Sequence, residues 1–231
     1  MFLVPSWLKS KGNLSELYSP PKLSGIITLQ EAFEGDSNNM RIGVLALQGD
    51  FIEHISVLKK LGVEVVPVRK PDELKDLNGL IFPGGESTTI AKLIYSFDLF
   101  KLLKELAQSS LPIMGTCAGM VLMAKKVANS DVSPLALIDM EVRRNAFGRQ
   151  VASFETELPV PALGRKPFPA IFIRAPIILS TGPEVEILAR LDGGTIVAAR
   201  QGNRLAIAFH PELSSDSRLH NYFLKIIAAI D

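Results

Sequence analysis

The stretch Leu111–Lys126, "LPIMGTCAGMVLMAKK", holds the only cysteine of the chain, and its reading governs the rest. An apolar run stops at Gly115. Cys117 follows two residues later, then Ala118 and Gly119, then apolar residues at helical spacing. A strand that turns sharply into a helix tolerates only small neighbours around the turning residue. The pattern Gly-Thr-Cys-Ala-Gly therefore reads as a strand–turn–helix elbow carrying a nucleophile. The helix start favours a thiolate, and the N–H after the cysteine can face a developing oxyanion. A lone cysteine is often just a small buried apolar group. Two glycines at this boundary favour the nucleophile instead.

Working outward, short apolar runs alternate with longer amphipathic ones. "RIGVLAL" (41–47), "VEVVPV" (63–68), "NGLIFPGG" (78–85) and "LPIMG" (111–115) read as strands. Between them, "DFIEHISVLKKLG" (50–62) is a helix with Phe51, Ile55, Leu58 and Leu61 as its apolar stripe. Residues 87–110 form one or two helices, and "CAGMVLMAKKV" (117–127) another. This β-α-β-α order predicts an α/β fold, a mostly parallel sheet covered by helices on both faces. After about residue 135 the pattern becomes strand-rich, and residues 214–230 close the chain as a helix. Ligands of such sheets bind beyond the carboxyl ends of the strands. "QGD" (48–50), "PGGES" (83–87) and "GTCAG" (115–119) fall there.

A cysteine nucleophile needs a base, and the chain has three histidines. His54 and His220 lie inside amphipathic helices, and a place near the surface is expected for both. His210 ends the run "RLAIAFH" and is followed by Pro211 and Glu212. Two residues apart in extended chain, His210 and Glu212 can project to one side, so that Glu212 orients the imidazole toward Cys117. In "PGGES", Gly85 can bring a backbone N–H to a ligand; the plainer alternative is a turn opening a helix capped by Ser87. No lysine follows in the pattern of a phosphate loop.

The totals exclude several classes. The 231 residues contain 25 Lys and Arg against 24 Asp and Glu, which leaves no electrostatic footprint for nucleic acid or an anionic membrane. No apolar run approaches the roughly 20 residues that span a bilayer. One cysteine cannot make an internal disulfide, which suits the cytoplasm. Residues 1–39 are mixed in character and read as an N-terminal extension outside the core fold, or alternatively as a docking arm. The functional domain is expected over 40–231, opening at "MRIGVLALQGD".

Gly-x-Cys-x-Gly with a late His-Pro-Glu resembles the class I, triad-type glutamine amidotransferases. "GVLALQGDFIEH" (43–54), "PGGESTT" (83–89), "GTCAGMVLMAK" (115–125), "RRNAFGRQVASFE" (143–155), "FIRAP" (172–176) and "FHPELSSDSRLHNYFL" (209–224) narrow this. Together they resemble the glutaminase subunits of pyridoxal 5′-phosphate synthase. The resemblance implies a flavodoxin-like three-layer sandwich and hydrolysis of L-glutamine through a cysteine thioester. It implies Cys117 as nucleophile, His210 as base and then acid, and Glu212 as its orienting partner. Gly85 and Ala118 would supply oxyanion-hole amides. Gly85, Glu86, Ser87, Arg144, Ile173 and Arg174 would bind substrate, with the arginine that meets the α-carboxylate left open. Gln48 and Gly49 would form the loop that responds to a barrel-type synthase subunit, the protein partner that receives ammonia. No metal or organic cofactor is implied. Two alternatives stand beside this: a class I amidotransferase serving another synthase, and a redox-sensing member of the flavodoxin-like cysteine family.

Overall fold

The computed structural model of the protein describes residues 40–148 and 153–230. The 1–39 extension and the end of the "RNAFGRQ" stretch lie outside the described residues. The chain runs β1 (Arg41–Leu45), α1 (Phe51–Lys60), β2 (Glu64–Val68), β3 (Gly79–Phe82), α2 (Ser87–Ser96), α3 (Leu99–Gln108), β4 (Ile113–Thr116) and α4 (Ala118–Met123). It continues through β5 (Ala124–Ala128), β6 (Ile138–Arg143), β7 (Ser153–Leu158), β8 (Phe168–Ile173), β9 (Ile177–Thr181), β10 (Glu186–Arg190), β11 (Ile196–Gln201), β12 (Arg204–Ile207) and α5 (Arg218–Ala228).

The main sheet has the order β2-β1-β3-β4-β12-β11-β9-β6-β5, with β10 on β11. Strands β2, β1, β3, β4 and β12 are mutually parallel. Every residue of β3 and β4 is buried, which is why both read as unbroken apolar runs: helices cover both sides of this part. The β7–β8 hairpin stands apart from the sheet. β8 alternates buried and half-buried residues, the signature of a strand with one covered face. Its Phe172 stacks on Phe154 of β7 and packs against Phe209, tying the hairpin to the main core. No helix among the described residues is long and apolar enough to cross a membrane.

Two elements differ from the sequence expectation. The helix after Cys117 stops at Met123, and "AKKVA" becomes β5 instead. Lys125 pairs with Asp139 at 2.7 Å and Lys126 with Glu141 at 2.9 Å, both across to β6. Those cross-strand partners, with Val127 buried on the ladder, outweigh the good helix propensity of Ala and Lys. Strand β9 was not among the expected ones. It starts directly after Pro176 and lacks a regular alternation of buried and exposed residues.

Candidate active site

The carboxyl ends of β1, β3, β4 and β12, four consecutive parallel strands of the sheet, open into one cavity of about 410 Å³. That is a volume suited to a small molecule. Gln48, Gly49, Gly85, Glu86, Ser87, Cys117, Ala118, Arg144, Ile173, Arg174 and His210, all singled out by sequence, line it. Glu212 lies behind His210, 5% exposed.

Cys117 sits at the turn between β4 and α4 with φ +46° and ψ −102°, a conformation that side chains rarely adopt. Such strain costs about 1–3 kcal/mol and persists only where surroundings impose it. Here its N–H donates to Ile207 O of β12 at 2.8 Å. Gly119 has no room for a side chain, because a Cβ there would run into the carbonyl of Phe82. The small residues of the elbow are thus demanded by close packing of α4 on β3. The thiol is 7% exposed, with Sγ 3.8 Å from Ile173 O.

His210 lies three residues past β12. Its N–H donates to Ile171 O of β8 at 2.8 Å. Pro211–Leu213 then form a single 3-10 turn rather than extended chain, and the turn folds Glu212 back beneath the imidazole. Nδ1 of His210 lies 2.7 Å from Glu212 Oε1 and 3.4 Å from Asp50 Oδ2. Cys117 lines the same cavity as the imidazole and is near enough to bear on its charge. Gly84 presses on the ring so closely that a Cβ would overlap it. Burial works against a charged His210, but the hydrogen bonds and charges of Cys117 and Glu212 prevail and raise its pKa to about 10. His210 is therefore protonated through the neutral range. Burial pushes the Glu212 carboxyl up, opposed by its bond to His210.

The loops around this triad are laced together. Glu86 N–H donates to Gln48 Oε1 at 2.8 Å, and Asp50 N–H to Gly84 O at 3.1 Å. Glu86, not Ser87, caps α2: its carboxylate accepts from Thr88 N and Thr89 N. Ser87 is the first residue of the helix and is buried. Despite partial burial, the hydrogen bonds from Thr89 and Thr88 hold the Glu86 carboxyl at about 2. Arg144 is already engaged, with Nη2 2.7 Å from Glu86 Oε1 and Nη1 3.1 Å from Thr88 Oγ1. Arg174 is exposed, has φ +43°, and makes no ion pair among the described residues. Asp50, His210 and Glu212 are the one group of possible metal-ligating side chains among the described residues, but Nδ1 of His210 already serves Glu212.

His54 and His220 correct the sequence reading: both are fully buried. The inward face of α1 runs through His54 and Leu58, one position off the Phe51–Ile55 stripe, and those two residues are only half-buried. In α5, His220 shares its face with Phe223, Leu224 and Ile227. Continuing each stripe by one turn would have found both. His54 Nδ1 lies 3.0 Å from His220 Nε2, and His54 Nε2 lies 3.0 Å from Thr116 Oγ1 and 3.3 Å from Glu212 Oε2. Burial lowers the pKa of His220 to about 4; burial first, and then the neighbouring His220 and His210, which disfavour a further positive charge, lower that of His54 well below 6.5. Both are neutral in the fold and protonate more readily in the unfolded chain. Their contribution is complete above pH 6.5 and is lost as pH falls toward 4. His220 alone should cost about 3 kcal/mol over that window. Denaturant melts at pH 7 and pH 4.5 should show the loss, and His220→Gln should flatten it; an unchanged pH dependence in that variant would count against the assignment.

A family model described as the SNO glutamine amidotransferase family matches residues 44–229. A protein of Dehalococcoides mccartyi described as pyridoxal 5′-phosphate synthase subunit PdxT is 58% identical over 81% of this chain and 97% of its own. Proteins of the same description from Pelotomaculum thermopropionicum and Herpetosiphon aurantiacus are each 57% identical, covering 94% and 100% of those chains and 80% and 81% of this one. A crystal structure of a glutamine amidotransferase superposes with a TM-score of 0.77 at 46% identity, over 81% of this chain and 98% of the other. PurLQS from Thermotoga maritima shares the fold at 17% identity, with a TM-score of 0.59 over 83% of this chain and 99% of that one.

Proposed function

The chain belongs to the SNO glutamine amidotransferase family, and from that premise we propose that it is the glutaminase subunit of a pyridoxal 5′-phosphate synthase. It hydrolyses L-glutamine to L-glutamate and ammonia and passes the ammonia to a synthase subunit of barrel type. Ammonia freed into water is protonated and ceases to be a nucleophile, so delivery through an enclosed path suits a biosynthetic role. The observation that carries the reading is the Cys117–His210–Glu212 array at the carboxyl ends of β4 and β12, in a chain 58% identical to a relative of that description. The single cysteine is in keeping with work in the cytoplasm.

Cys117 Sγ attacks the side-chain amide carbon of glutamine. The carbonyl π electrons move to oxygen, where the N–H groups of Ala118 and Gly85 receive the negative charge. His210 gives its proton to the departing nitrogen, ammonia leaves, and a glutamyl thioester remains. His210, now neutral, takes a proton from water as the water attacks the thioester, and the thiolate is expelled with the His210 proton restored. Glu212 holds the imidazole orientation and balances its charge throughout. No metal or organic cofactor takes part.

The substrate's charged end needs two partners. Glu86, held ionised, is suited to the α-ammonium group. Arg144 is occupied by Glu86, so Arg174 is the guanidinium we assign to the α-carboxylate. Arg174→Ala should raise KM by about 10- to 100-fold with a smaller change in kcat, the loss of one charge-assisted pair. Unchanged KM would return that role to Arg144.

The reading is tested by glutamate release from glutamine, measured for the chain alone and mixed with a pyridoxal 5′-phosphate synthase subunit. The full chain and a version starting at Met40 should be compared, since residues 1–39 are proposed to lie outside the domain. Low activity alone that rises on mixing, in both versions, is the expected result. Silence of both versions with the partner would overturn the reading.

A further inference from the structure

Behind the triad a second line of buried polar groups runs away from the cavity: Glu212, then His54 at 3.3 Å, then His220, hydrogen-bonded to His54 at 3.0 Å. It joins α1 to two elements near the other end of the sequence, the turn at residues 211–213 and α5. Both histidines are fully buried, and the mechanism just described uses neither. Glu212 Oε1 is bound by His210, but Oε2 is buried without a well-aligned hydrogen bond among the described residues. The group nearest to it in this line is Nε2 of His54, at 3.3 Å.

A neutral imidazole carries one proton, so its placement has two solutions. In the first, His54 is protonated on Nδ1 and donates to His220 Nε2. His220 must then carry its own proton on Nδ1, an atom buried without a hydrogen-bond partner among the described residues. His54 Nε2 would then accept from the Thr116 hydroxyl, leaving Glu212 Oε2 to face a nitrogen lone pair with no donor. Both features are costly in a buried site. In the second, His220 donates from Nε2 to His54 Nδ1, and His54 directs its Nε2–H toward Thr116 Oγ1 and Glu212 Oε2. No N–H is then orphaned, and the carboxylate meets a donor.

We propose that His54 is a positioning residue for the triad: protonated on Nε2 and locked there by His220, it offers an N–H to Thr116 Oγ1 and Glu212 Oε2, keeping Glu212 ionised and aimed at His210. The proposal rests on the glutaminase reading for its kinetic consequence but not for its structural one. A protonated Glu212 would lose the charge that sustains an imidazolium at His210. His54 supports the carboxylate from the side away from substrate. Being neutral, it does so without adding a second positive charge to the buried cluster.

The first test needs no substitution for its readout. The full chain is labelled with nitrogen-15 histidine, and long-range proton–nitrogen spectra identify which ring nitrogen of each histidine is protonated. His54→Gln and His220→Gln serve only to assign the signals. His54 and His220 should both be protonated on Nε2; protonation of His54 on Nδ1 would overturn the proposal.

The second test is kinetic, in complex with a synthase subunit and corrected for the folded fraction. His54→Leu removes the donor and should lower kcat about tenfold or more while KM stays within about twofold. His54→Gln keeps an amide N–H toward Glu212 and a carbonyl toward His220, and should recover most of the lost kcat. A Leu variant with wild-type kcat would sink the idea, and so would a Gln variant no better than Leu. If the Leu variant does not fold, the Gln variant and the tautomer remain decisive. An inactive wild-type complex would overturn the glutaminase reading while leaving the tautomer result to judge this one.

Discussion

Replacing Cys117 by Ala should end glutamine hydrolysis, with kcat falling by on the order of 10⁴-fold or more. In the proposed mechanism the thiol sulfur is the atom that bonds to carbon, and among the described residues lining the cavity there is no second cysteine to replace it. The fold should survive. Alanine fits the space, keeps the N–H that bonds to Ile207 O, and inherits the same φ of +46° without a larger side chain to strain it. Thermal unfolding should therefore shift by no more than a few degrees, and binding to the synthase subunit should be unchanged. Glutamate release by the complex is the measurement. Turnover within tenfold of the unaltered enzyme would remove Cys117 from the mechanism.

The second large effect concerns the proton carrier. His210→Asn should lower kcat by about 10³-fold or more. Asparagine places an amide N–H where Nδ1 of the imidazole was, so Glu212 keeps a partner and remains satisfied. What disappears is the group that accepts and returns the proton. The same substitution should alter alkaline stability. The pKa of His210 rises from 6.5 to about 10 on folding. Its stabilising contribution is therefore fully present below pH 6.5 and is lost as pH climbs through 10. The Asn variant should lack that alkaline decline. Reaction of Cys117 with iodoacetamide at pH 7 should slow in parallel, because the imidazolium that supports the thiolate is absent. A variant that forms and hydrolyses the thioester at the normal rate would mean the base lies elsewhere.

The elbow and the late His-Pro-Glu could be read from sequence because their requirements are local. The strand-to-helix turn at Cys117 lies within Gly115–Gly119, and the 3-10 turn that joins His210 to Glu212 spans three residues. The parallel half of the sheet was legible for a similar reason. Strands covered on both faces announce themselves as apolar runs. The buried histidines were not read in this way. His54 and His220 are 166 residues apart, and their burial rests on partners far away in sequence: each other, and for His54 also Thr116. A pattern that sorts polar from apolar residues places both at the surface. The short α4 escaped for the opposite reason. Ala and Lys suit a helix as an isolated stretch, and only Asp139 and Glu141 on another strand turn "AKKVA" into β5. Arg144 lines the cavity as expected of a substrate-binding residue, and its engagement with Glu86 and Thr88 is a fact of three-dimensional neighbourhood that no local pattern carries.

Strand β12 is the last strand of the chain, yet it lies between β4 and β11 in the middle of the sheet. During synthesis the elbow emerges long before the segment that completes it. Until β12 slots in, Cys117 has no Ile207 carbonyl to hold its backbone and no His210 to take its proton. The nascent chain is therefore a protein without a working site, and it gains one only when its final strand closes the gap. Pairing residues 113–116 with 204–207 is a contact of long sequence separation, which slows folding. Truncation before Arg204 would not trim an edge. It would split the sheet at its centre, so that Cys117 and His210 come together only once residues 204–210 have been made.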